Sequence, residues 1–233
     1  MHRTNFARNA VKDRGATRQS APLGQPKLRR SVMQQRAQDR IDAILLATEK
    51  ALVAKGNDSL SMVNIATRAG ITHTSIYHYF KSIDEILVML LWRLMADYFE
   101  KTKAMVEEAN TVRDLIESYA ASKHLAWDKY RNTPSARGLY ARARYLTTLR
   151  RVDDEYNSRR ADVVCARFRQ LAPEADHCAI RTTIELTQSL TVPTFDFAMR
   201  RPKREQLKIV DEFIAMMKSR LMSVVGVNAG DED

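Results

Sequence analysis

The sequence predicts an all-α chain, with a small N-terminal three-helix unit followed by a larger helical body. Three observations carry that prediction. Helix breakers are scarce, with seven Gly and six Pro in 233 residues, too few for a turn-rich β protein. From about residue 31 onward, apolar residues recur at spacings of three and four, the period of an amphipathic helix. The stretch Ser61–Glu85, SMVNIATRAGITHTSIYHYFKSIDE, holds two short helical patterns about a tight turn at Ala69-Gly70, the outline of a helix-turn-helix.

The net charge of +10 is unevenly spread. Residues 1–30 hold eight Lys/Arg against one acid, residues 31–81 six against four, and the remainder 24 against 23. The basic excess therefore sits at the end that carries the helix-turn-helix. A localised basic stretch is an electrostatic footprint for a polyanion; a solubilising tail is the alternative. Residues 1–30 are polar and lack an apolar period, so they are expected to be disordered in isolation. Three readings fit them: an arm along the phosphate backbone or into a minor groove, a passive tail, or a segment upstream of a true start at Met33.

The first helix is expected from about Ser31 to Lys55, with Ile41, Ile44, Leu45, Thr48, Ala51 and Leu52 on one face. Gly56 ends it, and Asn57-Asp58 forms the turn. Ser61 caps a second helix from Met62 to about Ala69, with Ile65 and Ala66 inward. Gly70 permits the turn. Thr72 then caps a third helix, roughly His73 to Tyr79. Ile76, Tyr79 and Phe80 can pack inward, leaving His73, Thr74, Ser75 and His78 outward and Tyr77 at the flank. Small polar groups near a helix N-terminus can approach base edges. Ser61, Thr72, Tyr77, His78 and Lys81 suit phosphates. Each alone is an ordinary surface residue or cap; together on one short helix they point to double-stranded DNA.

These residues resemble the N-terminal domain of the TetR family of transcriptional regulators. The family pattern is a helix, a Gly, then Ile-Ala-x-x-Ala-Gly-Val-Ser-x-Gly-x-x-Tyr-x-Tyr-Phe-x-x-Lys-x-x-Leu. Gly56, Ile65, Ala66, Ala69, Gly70, Ile71, Thr72, Tyr77, Tyr79, Phe80 and Leu87 match or nearly match. Thr74 stands where the family has Gly, adding a side chain on the groove-facing side. Ile83 stands where it often has Lys, removing a cation beside the next helix. The motif covers about 45 residues; beyond it the likeness is one of length and helix layout. The resemblance implies a homodimeric, cytoplasmic bacterial regulator, nucleoid-associated when DNA-bound. It would most often be a repressor, released from a near-palindromic operator by a small apolar or amphipathic effector.

Domain boundaries are expected at 1–30 for the basic arm, 31–81 for the DNA-binding unit, 82–225 for the ligand-binding and dimerisation body, and 226–233 for an acidic tail. Ser82 with Glu85 reads as a capping box opening a long helix to about Asn110. The resemblance implies that this helix joins head to body, and that shifting it changes the spacing of the two heads. Thr111 caps the next, to about Lys129. Thr133-Pro134 opens another, with Pro at the first position, running through Leu149. Helices from Asp153 to Leu171 and Ala175 to Met199 follow, the latter with Pro193 inside it, a kink that is either functional or simply accommodated.

In the last helix, Lys203–Val225, the residues Leu207, Val210, Ile214, Met217, Leu221 and Val224 make a coiled-coil-like seam. Such a seam fits a dimer interface; burial against the chain's own body is the alternative. The resemblance implies a pocket in the body, with Tyr119, His124, Trp127, Tyr140, Arg144, Phe168, Glu185, Thr187, Phe195 and Asp196 as candidate lining residues. Arg142 and Arg144 would meet an anionic effector, remain solvated, or pair with Asp153 or Asp154. No catalytic motif is present. His73 and His78 stand at i, i+5, whereas two-His metal sites on a helix prefer i, i+4. Two cysteines without Cys-x-x-Cys spacing suggest neither zinc nor disulfides. No metal or cofactor is expected, and no apolar run approaches the ~20 residues of a membrane span. A helical enzyme or carrier with a vestigial head is the rival reading.

Overall fold

A computed structural model describes residues 35–54 and 60–227. The expectations for the basic arm, Met33, Gly56, the Asn57-Asp58 turn and most of the acidic tail lie outside them. Among the described residues the chain is helical throughout: α1 (Gln35–Val53), α2 (Met62–Arg68), α3 (His73–Ile76), α4 (Ile83–Glu107), α5 (Val112–Asn132), α6 (Pro134–Ala143), α7 (Thr147–Leu171), α8 (His177–Met199) and α9 (Lys203–Val225). None of these helices is long and apolar enough to cross a membrane.

Local chemistry sets most boundaries. Ser61, Thr72, Ser82 and Thr111 each hold an extended backbone and accept a hydrogen bond from the amide three residues on, which satisfies one of the orphan N–H groups of a first turn. Each such cap contributes about 1 kcal/mol. Thr111 and Asp114 form a reciprocal capping box. Ser82 and Glu85 do not, contrary to expectation: Ser82 Oγ accepts from Glu85 N–H at 3.3 Å, but Glu85 Oε2 accepts from Lys81 N–H at 2.6 Å. Pro134 occupies the first turn of α6, with no side-chain cap from Thr133. Gly226, φ 72°, ends α9 in the left-handed conformation.

Two boundaries differ from the sequence reading. The helix expected from Thr133 through Leu149 is broken at Arg144–Leu146. There the Arg142 carbonyl accepts from both the Tyr145 and Leu146 amides. The break lets α7 start at Thr147 in a new direction, with Leu149 fully buried and Tyr145 83% exposed. The third helix is also shorter than expected: after Ile76 the chain continues as turns, with Tyr79 and Phe80 amides both donating to the Ile76 carbonyl.

Two apolar clusters organise the packing. One joins α1, α2 and α3 to the first half of α4, to Leu139 and Ala143 of α6, and to Leu149, Val152 and Tyr156 of α7. The other joins α5, the second half of α7, α8 and α9. The apolar core of the head runs past Lys81-Ser82, the expected boundary, into α4, α6 and α7.

The seam expected on α9 needs correction as a dimer interface. Val210, Ile214, Met217 and Leu221 are 0–4% exposed and belong to the second cluster, against α5 and α8. Val224 packs on the same cluster, and of the six only Leu207 is exposed. A seam at spacings of three and four is equally the pattern of a helix laid on its own body. The exposed large apolar side chains of α8 and α9 are instead Leu186, Leu190, Phe197, Leu207 and Met216.

Candidate functional site

The turn between α2 and α3 is built on Gly70, whose φ of 67° is left-handed, where a Cβ would add strain. The Ile71 amide donates to the Ala66 carbonyl at 3.0 Å and closes the turn. Ile76 and Phe80, 0% and 1% exposed, pin α3 to the head core. The opposite side carries a hydroxyl cluster. Thr72 Oγ1 lies 3.1 Å from Thr74 Oγ1 and 2.7 Å from Ser75 Oγ, and accepts from the Ser75 amide at 3.2 Å. His73 Nε2 lies 3.4 Å from the Tyr77 hydroxyl, with the rings edge-on at 5.2 Å. Thr72, His73, Thr74, His78 and Lys81 are exposed; Ser61, Ser75 and Tyr77 are half-buried. Thus seven of the eight candidates gather on α3, its cap Thr72 and the turns after it, while Ser61 caps the neighbouring α2. Compact hydroxyls beside imidazoles and an ammonium can reach base edges and phosphates together.

The body encloses a cavity of about 300 Å³ among α4, α5, α6, α7 and α8. Of the ten expected lining residues, Tyr140, Arg144 and Phe195 line it. Asp196 stands behind them, accepting hydrogen bonds from Tyr130 Oη and Arg144. The other six do not line it. Tyr119, Trp127, Phe168 and Thr187 are core: Trp127 lies edge-on to Phe195 at 5.3 Å, and the Thr187 hydroxyl donates to the Thr183 carbonyl at 2.6 Å. His124 faces α9, with Nε2 3.7 Å from Asp211. Glu185 is exposed and paired with Arg181 at 2.8 Å. Helical spacing groups residues by face; it does not say whether that face meets a neighbour, solvent or a void.

Sequence reasoning missed Tyr98, Lys123, Tyr130, Asp153, Arg160 and Gln188, all of which line the cavity. A signal for three of them was present. Lys123 stands midway between buried Tyr119 and Trp127, Arg160 midway between buried Tyr156 and Val164, and Gln188 four residues after buried Ile184. Each is a polar residue in an apolar register.

The electrostatics of the wall follow from burial. Lys123 is 1% exposed; burial, with Arg160 adding to it, holds its ammonium well below the usual lysine range. Its Nζ lies 4.5 Å from the centre of the Tyr119 ring. The Arg160 guanidinium stacks 4.7 Å over Tyr98 and donates through Nη2 to Asn157. Burial pushes the Asp153 carboxyl up, with Arg160 opposing and Asp154 adding. The Tyr140 phenol is likewise raised, by burial first and then by Asp153; its hydroxyl donates to Met95 Sδ at 3.2 Å, joining α6 to α4 at the cavity.

Comparison with known proteins adds the following. Residues 44–90 match the family model described as bacterial regulatory proteins, tetR family, and residues 109–225 match that of the tetracyclin repressor-like C-terminal domain. An uncharacterised HTH-type transcriptional regulator of Haemophilus influenzae is 30% identical over 83 residues, 33% of this chain. The match spans only 44% of that protein's length. Among solved structures, the fatty acid degradation regulator FadR of Bacillus halodurans superposes with a TM-score of 0.62 at 15% identity, covering 77% of this chain and 94% of that one. SmeT, the repressor of the Stenotrophomonas maltophilia multidrug efflux pump SmeDEF, gives 0.59 at 17% identity, covering 76% and 91%. At these identities the likeness is one of fold.

Proposed function

This chain belongs to the TetR family and is a DNA-binding transcriptional regulator; from that premise we propose that it is a repressor released from DNA by a small molecule bound in the body cavity. Each head of a homodimer lays α3 in the major groove of one half-site of a near-palindrome. Thr74, Ser75 and His73 meet base edges; Ser61, Thr72, Tyr77, His78 and Lys81 meet phosphates. Exposed Leu186, Leu190 and Phe197 of α8 and Leu207 and Met216 of α9 form the dimer face. The chain acts in the cytoplasm, and family membership sets it among regulators rather than enzymes.

One observation carries the ligand-response reading: the head cluster and the cavity share helices, α4 and α6 as well as α7. Ile86–Leu91 of α4 pack in the head cluster, while Leu94, Met95 and Tyr98 of the same helix line the cavity. Leu139 of α6 packs in that cluster, while Ala136 and Tyr140 line the cavity. At Gly138 α6 lies against α1, where an added Cβ would make an ordinary contact with Leu52 at 3.7 Å. A ligand that shifts α4 or α6 therefore shifts the head with it. It does so by binding the released arrangement more tightly; a preference of ~1–3 kcal/mol lowers operator affinity roughly 5–150-fold.

The test is selection of bound sites from random DNA, followed by anisotropy titration of the selected site against scrambled sequence at moderate salt. A near-palindrome with half-sites about one helical turn apart is expected. Affinity for the selected site no higher than for scrambled DNA would refute the reading.

A further inference from the structure

Part of the cavity wall is built for charge, and the described residues leave several of its polar atoms without a partner. Lys123, Arg160 and Gln188 line the cavity at 1%, 5% and 6% exposure. Arg160 Nε and Nη1 and both ends of the Gln188 amide have no hydrogen-bond partner among the described groups. The Tyr119 hydroxyl behind them is set towards the Gln188 side chain, without a hydrogen bond of ordinary geometry between the two. Unpaired buried donors are costly; those of Arg160 on α7 and Gln188 on α8 meet at one void beside Lys123 of α5.

Lysine and arginine donate hydrogen bonds and accept none, so the missing partner is an acceptor. Its sign follows from the lining, which carries six Lys/Arg side chains against three Asp. Asp97 and Lys101 engage each other at 3.1 Å and Arg144 is held by Asp196, which leaves Lys123, Lys129, Arg150 and Arg160 against Asp153 and Asp154. The wall also carries the apolar side chains of Leu94, Met95, Val192 and Phe195. A volume of about 300 Å³ is at the small end for ligand pockets and suits one single-headed molecule.

Resting on the ligand-response reading above, we infer that the effector is an anionic amphiphile. Its carboxylate or phosphate head is held by Arg160, Lys123 and Gln188. Its apolar portion lies against Leu94, Met95, Val192 and Phe195.

Calorimetric titration of the full chain with decanoate, decyl phosphate, 1-decanol and inorganic phosphate tests this. Decanoate or decyl phosphate is expected to bind at least about tenfold tighter than 1-decanol, the effect of one charge-assisted hydrogen bond; whichever acid binds better identifies the head. Arg160→Met should lower that advantage by about tenfold. Lys123→Met makes the same comparison should the first variant fail to fold. The inference is overturned if the alcohol binds as well as the acids, or if none of the four binds. Inorganic phosphate matching decyl phosphate, or an acid advantage unchanged in the folded variants, overturns it as well. The DNA titration is run without these compounds, so failure to prefer the selected site there strikes the regulator reading and not this one.

Discussion

Lys123→Met should make the ligand-free protein more stable. The wild-type ammonium is 1% exposed, and among the described residues no carboxylate lies within ion-pairing distance of it. Its close electrostatic contacts are the Tyr119 ring at 4.5 Å and the repelling Arg160. Replacing a buried ion pair by apolar groups of similar volume often stabilises by about 1–4 kcal/mol, and among the described residues Lys123 lacks even the counter-ion that would offset its desolvation. The Tyr119 contact offsets some of the present cost, since a desolvated cation–π pair contributes up to about 2 kcal/mol. The net gain should fall near 1–2 kcal/mol, or roughly 2–8 °C in Tm for a chain of this size.

The pH dependence has a definite sign. Burial lowers the folded-state pKa of Lys123 below the usual 10.5. Between the lowered value and 10.5, the unfolded chain holds a proton that the folded chain does not, so wild-type stability rises with pH across that window. Methionine has no such term. The advantage of the variant is therefore largest at the low end of the window and fades as pH approaches 10.5. Differential scanning calorimetry of both proteins from neutral pH upward reads the difference directly, because groups common to both cancel. A variant less stable than wild type at neutral pH would refute the reasoning, as would an advantage that grows with pH.

Three further outcomes are expected. Leu186→Glu with Leu190→Glu, both on the exposed side of α8, should sediment as a monomer with helicity retained, whereas Ile214→Glu should fail to fold because that side chain is 4% exposed within its own core; dimers persisting in the α8 variant would remove that face from the interface. Thr74→Gly should change the selected operator sequence more than it changes Tm, because the side chain is exposed and its contact is a hydroxyl 3.1 Å from Thr72; identical site preference would take Thr74 out of the reading set. Deleting residues 1–30, which carry +7 of the net charge, should weaken binding to all DNA and flatten the salt slope, and an unchanged slope would show that segment to be passive.

What the sequence determined by itself was local. The hydroxyl caps at Ser61, Thr72, Ser82 and Thr111, proline at the start of α6 and glycine in the α2–α3 turn each satisfy a requirement within a few residues. Helix starts and the helix-turn-helix were therefore legible, and so was the set of side chains on α3, because one short helix and its cap bring them together without help from the rest of the fold. The break at Arg144–Leu146 was not legible, since no Gly or Pro marks it and it exists to bring Leu149 into a core whose other members are distant in the chain. Tertiary structure also decided what each apolar face meets. The period of three and four that Val210, Ile214, Met217 and Leu221 share is the same whether the face meets a partner or the chain's own α5 and α8. The cavity is the sharpest case. Lys123, Arg160 and Gln188 stand in apolar register on three helices far apart in sequence, and only the packing of α5, α7 and α8 around one void brings three local anomalies together.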